Sequence, residues 1–87
     1  MAFNKKDFKF ITMIGKKKLY RDNNKENVFA LISPDEDNSG VSSFDKIQTA
    51  EVLAAARRYD TCKNDKYNTG AEESDYLNTM FRIHEVH

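Results

Sequence analysis

The chain has 87 residues, of which 39% are hydrophobic and 32% are charged, with one proline, three glycines and one cysteine. A chain of this size and composition forms one globular domain, residues 1–87, and is neither disordered nor fibrous. It has no apolar run near the ~20 residues of a membrane span, no apolar signal segment and no second cysteine for an internal disulfide. We therefore predict a cytoplasmic protein without membrane contact.

The formal net charge is zero, but the charges are unevenly distributed along the chain. Residues 1–32 contain eight basic and three acidic side chains, whereas the remainder contains six basic and eleven acidic ones. A dipolar chain of this kind favours oriented encounters with a charged partner. It could equally associate with itself head to tail.

The first half of the chain predicts a three-stranded antiparallel meander. Residues 7–14 alternate in the manner of a strand, and Gly15 can take a positive φ to turn the chain into a second strand at residues 16–21. Residues 28–32 form a compact apolar run of strand length. The alternation places on one face of the first strand the side chains of Phe8, Phe10, Thr12 and Ile14.

Residues 42–63 predict a helix of about five turns, in which Ser42 and Ser43 accept hydrogen bonds from the first backbone amides. A step of ~100° per residue defines the arc that should face the core. This arc carries Phe44, Val52, Ala55, Tyr59 and Cys62. The opposite side is polar except for Leu53.

A second helix is predicted over residues 72–86, because Thr69 with Glu72 three residues later is a capping-box pattern. The whole chain is therefore predicted to be an α+β domain of order βββαα, with both helices packed on one sheet face. As an alternative, residues 83–87 could add an edge strand. The predicted core consists of Phe8, Phe10, Ile14, Val28, Ala30, Ile32, Phe44, Val52, Tyr59, Leu77, Met80 and Phe81.

Residues 35–40 match the first half of an EF-hand calcium loop, which needs oxygen ligands at positions one, three and five and a glycine at six. The match fails at position twelve, where Lys46 stands in place of a bidentate glutamate. We therefore predict a hydrophilic turn and no metal site.

The inventory of catalytic groups is small. His84 and His87 lie near the end of the chain, Cys62 is the one cysteine, and no glycine-rich phosphate loop or metal-ligand cluster is present. A domain of this size also has little room for the walls of a substrate pocket. We expect neither enzymatic activity nor a cofactor.

The helix predicted at residues 42–63 carries the residues of our leading functional prediction. Glu51 and Arg58 flank its inner arc, and Leu53 is apolar beside Arg57 on its outer side. Apolar residues rimmed by charge commonly mark interfaces. We predict a binding or inhibitor-type protein, in the manner of phage-type accessory proteins, that contacts another protein or forms a homodimer through these four residues.

The alternative is nucleic-acid binding by the basic hairpin in the first half of the chain, where lysines are interleaved with aromatic residues. Such a surface could hold phosphates and stack bases. The residues concerned are Lys16, Lys17, Lys18, Tyr20 and Arg21.

Overall fold

The computed structural model describes residues 3–34, 41–67 and 69–83, which form a four-stranded antiparallel sheet followed by two helices. The α+β class is confirmed, and the predicted number of three strands is wrong. A short 3-10 turn precedes the sheet at Lys5–Asp7. The strands, which lie in the sheet in chain order, are β1 (Phe8–Ile14), β2 (Lys17–Asp22), β3 (Val28–Ile32) and β4 (Val41–Ser43). The helices are α1 (Lys46–Cys62) and α2 (Ala71–Ile83).

The fourth strand occupies residues that the sequence assigned to the start of the first helix. In β4, Val41 pairs with Ala30 and Ser43 pairs with Val28 of β3. Ser42 is fully buried, and its hydroxyl donates a hydrogen bond of 3.1 Å to the backbone oxygen of Phe81 in α2. Ser42 and Ser43 are therefore part of the sheet rather than helix caps.

Helix α1 begins at Lys46 because Asp45 is its N-cap. Asp45 Oδ1 accepts a hydrogen bond of 2.7 Å from the backbone N–H of Gln48, and Gln48 Oε1 accepts one of 3.1 Å from the backbone N–H of Asp45. This capping box satisfies two backbone donors that would otherwise lack partners at the helix start.

Within the described residues, neither helix is long and apolar enough to cross a membrane.

Strand β1 contains an irregularity that changes which side chains face the helices. Phe10 pairs with Tyr20, but Thr12 pairs with Leu19, so Ile11 is an extra residue in β1. A bulge of this kind reverses the alternation of side chains beyond it. The predicted common face of Phe8, Phe10, Thr12 and Ile14 is therefore wrong. The first two lie on the Tyr20 side of the sheet, away from the helices, and the last two lie on the helix side.

The sheet is apolar on both faces. The buried cluster on the helix side consists of Ile14, Leu19, Phe29, Leu31, Phe44, Val52, Ala55, Ala56, Leu77 and Phe81. The cluster on the opposite face consists of Phe8, Tyr20, Val28, Ala30 and Val41. Phe10, a predicted core residue, is 49% exposed on that opposite face, whereas the fully buried Leu19 and Phe29 were not predicted.

Candidate functional site

A groove of about 550 Å³ lies between α1 and the β1–β2 hairpin. Its helical wall carries Leu53, Ala56, Arg57 and Asp60. The strand wall is formed by residues 9–12 of β1 and by Arg21 of β2. Asp22, Asn23 and Glu26, at the end of β2 and in the turn that follows it, complete the lining.

The bulge in β1 shapes this groove. Ile11, the extra residue, is half-buried and packs against the helix-side cluster, as does Leu53. The next residue, Thr12, is buried, and its hydroxyl donates a hydrogen bond of 3.0 Å to Asp60 Oδ1. Ala56 contributes only a methyl group to the helical wall, so space remains between the bulge and the helix. The half-buried Ile11 and Leu53 and the buried Ala56 form the floor of the groove, which is consequently apolar, and the polar atoms of Thr12 and Asp60 bond to each other.

Six charged side chains surround the floor, three of each sign: Lys9, Arg21, Arg57, Asp22, Glu26 and Asp60. Asp60 Oδ1 also accepts a hydrogen bond of 2.8 Å from Lys63 Nζ. This bond, followed by the one from Thr12, lowers the pKa of Asp60 below its usual range. These two donors therefore favour the ionised form of the Asp60 carboxylate.

Arg21 is held in the strand wall of the groove by two contacts. Its Nε donates a hydrogen bond of 2.9 Å to the backbone oxygen of Glu26, and its guanidinium carbon lies 5.5 Å from the centre of the Phe29 ring. Stacking of a cation on an aromatic face restrains the side chain without using its terminal nitrogens. Arg21 therefore presents its Nη groups from a defined position.

The four helix residues that the sequence predicted as a protein contact lie in two separate places in the structure. Leu53 and Arg57, four residues apart, both line the groove. Glu51 and Arg58, seven residues apart, lie at the junction with α2 instead. Glu51 Oε2 accepts a hydrogen bond of 2.8 Å from the hydroxyl of Tyr76, and Arg58 Nε lies 3.8 Å from a carboxylate oxygen of α2. Burial, followed by the bond to Glu51, raises the pKa of Tyr76.

The five hairpin residues of the nucleic-acid prediction are distributed over both faces of the sheet. On the helix side, Lys17 Nζ donates a hydrogen bond of 3.0 Å to Asn78 Oδ1, and Arg21 stacks as described above. On the opposite face Tyr20 is buried, with its ring centre 4.9 Å from that of Phe3. Lys16 and Lys18 are exposed.

Sequence reasoning missed the strand side of the groove. Ile11 and Thr12 face the helix together only because of the bulge, and no glycine or other local signal marks that bulge. A signal was available on the helix side, where Leu53, Arg57 and Asp60 share the outer surface at spacings of four and three residues.

The described ranges contain no group of three His, Cys, Asp or Glu side chains placed to hold a metal ion. The calcium-like loop at residues 35–40, together with His84 and His87, lies outside the described residues. The groove is therefore the candidate site.

Comparison with known proteins identifies no relative, since no protein-family model, curated protein or solved structure matches this chain.

Proposed function

We propose that this chain is a non-enzymatic, cytoplasmic binding protein that acts by contact with another protein, and that the groove receives a short segment of that partner. One observation carries the proposal: an apolar floor of Ile11, Leu53 and Ala56 lies beneath a rim of charged side chains. Protein interfaces typically combine an apolar centre with a polar rim that stays accessible to water.

The polar groups of the groove favour a protein segment over a small metabolite. Pockets for small molecules usually place a few polar groups to fix the orientation of the ligand. Here the hydroxyl of Thr12 already donates to Asp60, and Asp22 Oδ1 accepts from two backbone amides of its own turn. What the groove offers is apolar surface with exposed charged side chains such as Lys9 and Arg57 at its margin, which suit the side chains of a peptide.

A selection experiment tests the proposal directly. Peptides selected from a random displayed library on the parent protein should lose binding to a Leu53→Asp variant, which places a charge on the apolar floor. Ile47→Asp is the matched control, because Ile47 lies on the same helix, is 72% exposed and does not line the groove. Circular dichroism checks that both variants are folded. Peptides that bind all three proteins equally would locate the contact outside the groove.

The rival proposal is nucleic-acid binding by the hairpin. The supporting observation is that Lys16 and Lys18 are exposed and make no side-chain hydrogen bond or ion pair within the described part of the chain. Two free lysines neutralise about two phosphates, so the logarithm of the binding constant should fall with the logarithm of salt concentration with a slope of about −2. Mobility-shift titrations at low salt that detect no complex with DNA or RNA would eliminate this proposal.

A further inference from the structure

Two of the three carboxylates of the groove already accept hydrogen bonds from donors of this chain, in each case at Oδ1. Asp60 Oδ1 accepts hydrogen bonds from Thr12 and Lys63. Asp22 Oδ1 accepts bonds of 2.7 and 3.1 Å from two backbone amides of the turn between β2 and β3. Because these acceptors already have donors, they attract an incoming cation less strongly than their formal charge implies. Of the three carboxylates, Glu26 alone has no such bond among the described residues.

The cations of the groove have the opposite property. Lys9 and Arg57 are exposed, and neither side chain makes a hydrogen bond or ion pair with another described residue. Arg21 uses only Nε for its bond to the backbone oxygen of Glu26. The groove therefore presents three cations that pair with no carboxylate of the described residues, against three carboxylates of which two already accept hydrogen bonds, although its formal charge is zero.

We infer that the segment bound in this groove is acidic, with an aliphatic or aromatic side chain on the floor and carboxylates opposite the three cations. The inference rests on the function proposed above and specifies the chemistry of the partner. Guanidinium groups bind carboxylates through two parallel hydrogen bonds, and the Nη groups of Arg21 make no hydrogen bond within the described part of the chain. The floor anchors the apolar side chain next to these cations.

The test uses peptides selected from a random library on the full chain at physiological salt. The enriched peptides should contain more Asp and Glu than Lys and Arg, together with at least one large apolar residue. Arg57→Glu should weaken their binding about ten-fold or more, because it replaces an attraction with a repulsion. Arg82→Glu is the matched control: it makes the same change of charge on an exposed residue of α2 outside the groove and should have little effect.

A second selection on the Arg57→Glu protein adds a reciprocal measurement. It should enrich peptides in which a basic residue replaces one of the acidic residues, whereas a purely structural role of Arg57 would not change the selected charge. Thermal melts followed by circular dichroism show whether each variant is folded.

Three outcomes would overturn the inference. Peptides that are neutral or basic, but still lose binding to Leu53→Asp, would retain the groove as a protein-binding site and exclude an acidic segment. Peptides that bind the parent, Leu53→Asp and Arg57→Glu equally would exclude both the inference and the proposed function. Sedimentation of the parent as a dimer that Arg57→Glu dissociates would identify a second copy of this chain as the occupant.

Discussion

The hydroxyl oxygen of Tyr59 accepts a hydrogen bond of 2.7 Å from the backbone N–H of Gly15. This bond links the C-terminal half of α1 to the turn between β1 and β2. The ring of the same tyrosine packs against Gly70, immediately before α2. Tyr59 therefore joins α1, the turn between β1 and β2 and the segment that precedes α2.

Tyr59→Phe should lower the free energy of unfolding by about 0.5–1 kcal/mol, because the ring is kept while the hydrogen bond is lost. The loss is at the small end of the usual range because the amide of Gly15 is exposed and can bond to water. Urea unfolding measures the change. Tyr67→Phe is the control, since Tyr67 is 90% exposed. Equal destabilisation by both substitutions would show that the bond to Gly15 contributes nothing specific.

Gly15→Ala and Gly70→Ala form a matched pair that separates backbone strain from steric overlap. Both glycines have positive φ, at 63° and 74°, a region that costs other residues about 1–2 kcal/mol. A Cβ at Gly15 would meet nothing within 4 Å, whereas one at Gly70 would lie 2.7 Å from Tyr59 Cδ2. Gly70→Ala should therefore be more destabilising by at least about 1 kcal/mol in urea unfolding. Equal effects would mean that the Tyr59 ring moves aside without cost.

Phe44→Ala and Phe10→Ala should differ strongly, although the sequence placed both residues in the core. Phe44 is buried between Phe29 and Phe81, with ring centres 5.9 and 5.2 Å away. Its truncation should cost about 3–5 kcal/mol. Phe10 is half exposed and makes one edge contact with Tyr20, so its truncation should cost only about 1 kcal/mol. Thermal melts in which Phe10→Ala is the more destabilised variant would contradict the bulge in β1.

The carboxyl group of Asp60 should titrate below its usual pKa, because Lys63 and then Thr12 donate hydrogen bonds to its ionised form. Because the pKa of Asp60 is lower in the folded state than in the unfolded state, these bonds stabilise the fold at pH values above the unfolded-state pKa of about 3.9. That contribution disappears as the pH falls through the folded-state pKa. Carboxyl-carbon NMR titration should place the pKa closer to its usual value in Thr12→Val, and closer still in Lys63→Met.

An unchanged pKa of Asp60 in both variants would exclude these two bonds as its cause.

Local patterns in the sequence were sufficient for much of the fold. The alternation around Gly15 predicted the β1–β2 hairpin, and the apolar run at residues 28–32 predicted β3 with its bounds. Both helices were predicted close to their observed positions. Patterns of this kind report how one element divides its side chains between apolar and polar surroundings, and that information lies within a few neighbouring residues. The outer surface of α1, with Leu53 next to Arg57, was visible in the same way.

Only the tertiary structure decided β4, the faces of β1 and the groove. Residues 41–43 are too few to show an alternating pattern. They form a strand because β3 offers an edge for pairing and because the backbone oxygen of Phe81 accepts a hydrogen bond from the hydroxyl of Ser42. The extra residue at Ile11 leaves no local signal, yet it reverses every side chain beyond it in β1. The groove depends on that reversal, because it brings Ile11 and Thr12 against α1 across more than 40 residues of chain. Contacts at this separation arise from packing between elements, which the periodicity of a single element does not encode.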